Sequence, residues 1–324
     1  MNDVSFAINK SDSPEEIIFI KKNLGLMKHI WLHKWLYLML VPGILYFAIF
    51  RYGPMFGIVM AFQNFHPTLG IGDSPWVGLM WFREFFGSPD FLRIMINTMS
   101  LGVLSITLGF SAPIIFALLL NELKGAVYKR CVQTAIYVPH FVSWAIVSAL
   151  TIMLFNSNGG FMFDFLENIF GRPVNILTNP SSFRWMILLQ GIWKNAGFGT
   201  IIYLAALSSV DPELYEAAIM DGAGRWRRLW HITLPAIRPI VVIMLILACG
   251  NFLSTGFEQI YLMQNSLNRP VALVFDLFVY QIGIQRGMFS YATAVGLFNS
   301  VVGIVLVVTA NLVAKKVDPE AGIF

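Results

Sequence analysis

About six stretches of this chain, near 35–53, 93–120, 132–155, 185–208, 237–262 and 290–314, are apolar for long enough to be helices crossing a hydrocarbon layer, which takes about 20 residues. Their composition explains why no water-soluble fold fits. Hydrophobic residues make up 57% of the chain and charged residues 12%, against about 25% charged in an average soluble domain. Too few polar residues remain to cover a surface in water, so the solvent is largely lipid. No alternating apolar pattern of the kind a membrane barrel needs is present. The expected fold is therefore an all-α membrane protein of about six transmembrane helices. The fourth stretch carries Lys194 and the fifth ends near Glu258, so these two have the least defined limits.

Loop charge sets a direction. With both termini on the cytoplasmic side, the inner segments hold Lys10, Lys21, Lys22, Lys28, Lys34, Lys124, Lys129, Arg130, Arg225, Arg227, Arg228, Arg238, Lys315 and Lys316. The outer ones hold only Arg51, Arg83, Arg93, Arg172, Arg184, Arg269 and Arg286. This excess obeys the positive-inside rule. The expected organisation is a cytoplasmic segment 1–33, a membrane domain 34–316 with a cytoplasmic loop 210–238, and a cytoplasmic tail 317–324. Residues 1–33 lack the apolar core of a secretory signal. Glu15 to Trp31 is either an interfacial helix with Lys21, Lys22 and Lys28 on its basic face, or a plain tail. The outer segments 54–92 and 156–184 are rich in Gly, Pro and interfacial aromatics such as Trp76 and Trp81, and read as folded caps. Cys131 and Cys249 have no metal-like or CxxC neighbours and read as bystanders.

The most informative stretch runs from Ser208 to Pro239. It is too charged to cross a membrane, and its local pattern is helix–turn–helix. Asp211 is a candidate N-cap, Pro212 suits the first helical position, and Glu213 favours the positive end of the dipole. Gly222 permits a turn, a second short helix takes in Trp226 and Leu229, and Pro235 and Pro239 are expected to interrupt or redirect the chain entering the fifth span. Small residues at Ala217, Ala218 and Gly222 beside the acidic Glu216 make a knob that a partner can approach closely. An amphipathic surface helix whose arginines touch anionic lipid is the competing interpretation.

The spacing Glu216-Ala217-Ala218, Gly222, Ile232, Leu234, Pro235, with Asp221, Ala223 and Pro239, resembles the EAA loop of permeases in bacterial binding-protein-dependent ABC importers of the type I (MetI-like) fold. Leu229 departs from it, since many relatives have Phe there, but the apolar contact is kept. Tyr52-Gly53-Pro54, Asn97-Thr98, the run Tyr137 to Trp144, Trp193-Lys194-Asn195 and Tyr203 to Leu207 extend the likeness over about 35–316. They point to the LplB-like oligosaccharide group, close to a permease of the alginate importer.

The resemblance implies a chain without its own catalytic site in the bacterial inner membrane. It also implies a second, non-identical permease, two copies of a cytoplasmic ABC ATPase that bind ATP and Mg, an external solute-binding protein and an oligosaccharide solute, with no nucleic acid. Carried onto this chain, Pro212–Trp226 is the coupling helix region. Glu216 makes the polar contact with the ATPase, Ala217 and Ala218 pack in its cleft, Gly222 turns the loop, and Asp221, Ala223, Leu234 and Pro235 complete the motif. No GxxxxGK[ST] nucleotide loop occurs in the sequence.

Candidates for the solute path are Trp193, Lys194, Asn195, Asn251, Glu258, Gln259 and Arg286. A lysine inside a span usually faces a cavity or a partner, or snorkels to the surface from a helix that begins later. Lys194 and Arg286 would suit an acidic oligosaccharide. Asn251 also fits a helix–helix hydrogen bond, and His140 beside Pro139 reads as structural. The alternative class is an ion-gradient-driven secondary transporter, which calls for acidic relays and inverted repeats within the spans; neither is visible. A membrane enzyme would need a HExxH or GxSxG motif, also absent from the sequence.

Overall fold

The computed structural model describes Trp31 and residues 33–317. The segment 1–33, apart from Trp31 and His33, and the tail from 318 lie outside the described residues, and with them most of the expected interfacial helix. The chain forms two units that divide between Gly57 and Ile58. In the first, α1 (Lys34–Phe47) runs on through a wider π turn at Ala48–Tyr52. It is apolar nearly all round and buries none of its own side chains, as expected of a helix whose solvent is lipid.

The second unit is helical throughout. Among its described residues the extended pairing is confined to one bridge, Gln63 with Trp76. Its labelled helices are α2 (Met80–Gly87), α3 (Pro89–Leu104), α4 (Ser111–Glu122), α5 (Ala126–Tyr137), α6 (Trp144–Phe155), α7 (Phe161–Phe170), α8 (Pro180–Ser208), α9 (Pro212–Met220), α10 (Leu234–Gly250), α11 (Phe257–Met263), α12 (Phe275–Tyr280) and α13 (Phe289–Val317). Their starts are written in the sequence. Ser88 caps α3 by accepting from the Asp90 N–H at 3.1 Å, with Pro89 in the first turn. Asn179 does the same for α8, accepting from the Ser181 N–H at 2.9 Å. Each cap satisfies a donor that the helix itself leaves orphaned.

Among the described residues, four helical stretches are long and apolar enough to span a membrane: Lys34–Phe62, Pro89–Glu122, Arg225–Gly250 and Phe289–Lys316. A fifth is the pair Ala126–Phe141 and Trp144–Phe155, bent by 97°. The expected third span, 132–155, is thus broken rather than straight. Helix α8 has 29 residues, which at about 1.5 Å each is ample to cross. Its hydropathy is lowered by Gln190, Lys194 and Asn195, the reason it stands apart from the other spans. The expected fifth span is also corrected. It ends at Gly250, and Glu258 and Gln259 belong to the separate helix α11.

Three apolar clusters hold the second unit together. One gathers Phe85, Ile94, Phe275, Phe278 and Val295 from α2, α3, α12 and α13. A second joins Leu101, Phe183, Ile187, Ile260 and Leu277. The third packs Ala117 of α4, Tyr203 and Leu207 of α8, and Ile237 of α10. Segment 54–92 is folded as expected beyond the unit boundary: the Trp81 indole donates to the Gln63 carbonyl at 2.9 Å, and Phe85 is fully buried.

Candidate functional site

Two features concentrate the residues singled out by sequence. The first is the loop between α8 and α10. Asp211 caps α9 by accepting from the Glu213 N–H at 2.9 Å, and Pro212 opens the helix. The helix ends at Met220 with Asp221 as its C-cap, and the next residue, Gly222, has φ 75°, a conformation that costs any residue with a Cβ. Two backbone bonds close the end: Ala223 N–H to the Ala218 carbonyl at 2.8 Å, and Gly222 N–H to the Ile219 carbonyl at 3.0 Å. This is the paired bonding of a Schellman end, which glycine favours.

The loop stands out from the body. Glu216, Ala217 and Asp221 are exposed, Ala218 and Ala223 half-buried. Met220 is 86% exposed and Trp226 76%, with Leu214, Ile219 and Trp230 also open. A bond between the hydroxyls of Tyr215 and Thr233 at 3.0 Å ties α9 to the start of the next span. Entry into α10 differs from expectation. Pro235 sits in the first turn and Pro239 inside the helix, and neither ends it. A π segment at Leu229–Thr233 runs directly into α10, and Pro235 falls in the first turn, where a missing N–H is tolerated. Leu234 packs on the third cluster, and Pro235 is exposed.

The second feature is a cavity of about 450 Å³ among α3, α4, α6, α8 and the α10–α11 turn. Its polar lining includes Ser105, Asn195, Asn251, Ser254, Thr255 and Gln259, beside Trp144 and Phe252. Three of the sequence candidates, Asn195, Asn251 and Gln259, therefore meet in one place. Gln259 is 4% exposed, and its amide donates to the Ile187 carbonyl and to Gln190 Oε1, each at 2.9 Å. The Thr255 hydroxyl is buried with no partner among the described residues, an orphaned polar group in the wall. Asn251 reaches its own helix at Leu247 O only weakly, at 3.5 Å, and among the described residues it makes no bond across helices of the kind expected as its other role.

The remaining candidates lie elsewhere. Trp193, Glu258 and Arg286 are exposed and are not part of the cavity wall. Lys194 is 7% exposed and does not snorkel. His140 sits at the break of the third span. Its ring stacks on Phe198 at 4.1 Å and its Nδ1 is 3.2 Å from Asn195 Oδ1. Sequence reasoning missed Ser105, Trp144, Ser254 and Thr255. The run Asn251 to Gly256 did carry a signal, because a polar, glycine-ended interruption follows directly on an apolar helix.

The helices, the cavity within the spans and the projecting loop define a multi-pass membrane transport protein with a helical translocation unit. The chain belongs to the family described as the binding-protein-dependent transport system inner membrane component, which matches residues 109–320. It is accordingly a permease subunit of an ABC importer and not itself an enzyme, and the family membership gives a secondary transporter no support. It is 53% identical over 315 residues to Protein LplB of Bacillus subtilis, covering 97% of this chain and 98% of that one. It is 49% identical over 307 residues to YteP of the same organism, a polygalacturonan/rhamnogalacturonan transport system permease, covering 94% and 96%. A crystal structure of a bacterial ABC transporter that imports the acidic polysaccharide alginate superimposes with TM-score 0.84 at 39% identity, over 90% of this chain and 99% of that one. The same transporter type, with a periplasmic protein carrying an alginate pentasaccharide, gives 0.83 at 38%, over 90% and 98%.

Proposed function

We propose that this permease imports an acidic oligosaccharide, with the Asn195–Asn251–Gln259 cavity on the solute path and the α9 loop as the seat of a cytoplasmic ATPase. Both termini then face the cytoplasm. The observation that carries the coupling half is the projecting, Schellman-closed α9, exposed on its acidic and apolar sides and tied to the π segment before α10 through Tyr215 and Thr233. Glu216 supplies the charge, Ala217 and Ala218 the close approach, and Asp221, Gly222, Ala223, Leu234 and Pro235 the shape. ATP and Mg are held by the ATPase pair and not by this chain. Closure of that pair turns the cavity outward only if it grips α9 differently in its two states, since equal contacts shift no equilibrium.

The solute class follows from what the relatives handle. YteP serves polygalacturonan and rhamnogalacturonan, and the structural neighbour serves alginate; these are acidic chains. An external binding protein delivers the solute, and a second, non-identical permease completes the path. The test is ATP hydrolysis by the reconstituted complex with its binding protein. Oligogalacturonate or oligoalginate should stimulate hydrolysis several-fold over neutral malto-oligosaccharides. Equal stimulation by neutral chains would remove the acidic assignment.

A further inference from the structure

Helix α8 carries Gln190, Lys194 and Gly197 at spacings of four and three, which places them on one helix face. That face runs along the broken third span on both sides of its break. Gln190 Nε2 donates to the Thr151 hydroxyl of α6 at 2.6 Å. Lys194 Nζ donates to the His140 carbonyl at 2.6 Å and the Val142 carbonyl at 2.5 Å, at the break itself. Gly197 meets the Ile136 carbonyl of α5 so closely that a Cβ there would overlap it. Non-helical backbone at membrane depth survives only where its polar groups are satisfied. Here the donor is an ammonium, placed where the carbonyls at a helix end carry partial negative charge. No carboxylate among the described residues pairs with Lys194, and its remaining neighbour is the Trp144 ring, 5.4 Å from Nζ.

We propose that Lys194 is a positioning residue of the translocation path: it pins the 97° break of the third span and thereby sets Trp144 and Asn195 on the cavity wall. The ammonium is used by the protein's own carbonyls, so it is not the charge that holds an acidic solute. Asn195 follows Lys194 on α8 and bonds the His140 ring across the same break, while Gln190 continues the chain of bonds to Gln259 on the opposite wall. Both walls are therefore tied to the α5–α6 elbow through one helix face. The consequence for transport rests on the cavity being the solute path; the pin itself does not.

The assembled transporter is spin-labelled at Tyr128→Cys and Met153→Cys, both exposed and on opposite arms of the break, with Cys131 and Cys249 changed to Ser. Distances are measured alongside uptake of oligogalacturonate and of a neutral oligosaccharide. Lys194→Met should broaden or shift the distance distribution and lower any measurable uptake by roughly tenfold, the scale of stranding buried carbonyls, for acidic and neutral solutes alike. Lys194→Arg should restore the native distribution. Gln190→Leu, which frees only the α6 arm, should broaden it less. A native distribution in Lys194→Met overturns the proposal, most directly if uptake of the acidic solute alone is lost, because the ammonium would then be contacting solute. If no solute supports uptake, the cavity assignment fails while the distances still decide the pin.

Discussion

The hydroxyls of Tyr215 and Thr233 lie 3.0 Å apart and join the middle of α9 to the π segment that leads into α10. Thr233 is buried while its partner is half-buried, so the bond is partly shielded from water. Any push received by α9 reaches the fifth span through this contact and through the chain itself. Tyr215→Phe removes one neutral hydrogen bond, about 1 kcal/mol. The expected outcome is a folded permease whose solute-stimulated ATP hydrolysis falls a few-fold while basal hydrolysis by the complex is kept. Thr233→Val should act in the same direction and add little to Tyr215→Phe, as two ends of one bond do in a double-mutant cycle.

Gly222 ends α9 at φ 75° with open space around its missing Cβ. The penalty for a substitution is therefore conformational and not steric, about 1–2 kcal/mol for placing an L residue there. Gly222→Val should leave abundance in the membrane near normal and reduce uptake strongly, because the loop turns elsewhere. Immunoblotting of membranes beside a transport assay separates the two effects.

Gly197 is the opposite case, limited by space. A methyl there collides with the Ile136 backbone, so α5 and α8 must part. Gly197→Ala is expected to destabilise the solubilised protein by about 1–3 kcal/mol, the usual cost of overpacking, and to lower its melting midpoint in a thiol-reactive dye assay. Gly191, which has open space at its Cβ, serves as the control and should tolerate Ala.

Asp276 lies outside the membrane-spanning helices, and burial raises its pKa, partly offset by a hydrogen bond from the Thr255 backbone. A raised carboxyl binds its proton more tightly folded than unfolded. Its contribution is therefore complete below the ordinary aspartate range and is lost as pH rises through the raised value. Melting midpoints should fall across that acidic window. Asp276→Asn, uncharged throughout, should flatten the slope.

Much of this was legible in the residues, and for identifiable reasons. The α9 loop was, because caps and turns are local: Asp211, Pro212 and Gly222 act within a few residues of themselves. The apolar spans were, because lipid solvates side chains by type. The elbow in the third span was not. Pro139 did mark a candidate break within Val138 to Ser143, but the partner of the His140 and Val142 carbonyls is Lys194, more than fifty residues away in sequence. The prolines at 235 and 239 misled in the other direction, since Pro235 sits in the first turn of α10, where its missing N–H is tolerated, and the helix continues through Pro239. The cavity was half visible: Asn195, Asn251 and Gln259 stand out as polar residues beside apolar runs, whereas Trp144 lines it only because the elbow turns it there.

The central claim is that the stretch around Glu216 is held by a cytoplasmic ATPase. In a background with Cys131 and Cys249 changed to Ser, Glu216→Cys is paired with single cysteines in the ATPase cleft and oxidised in membrane vesicles. Disulfide capture of the ATPase subunit, with stimulated hydrolysis altered when the link forms, is the predicted result. A residue 216 thiol that reacts with a membrane-impermeant reagent from outside intact cells, or that never captures the ATPase, would contradict it.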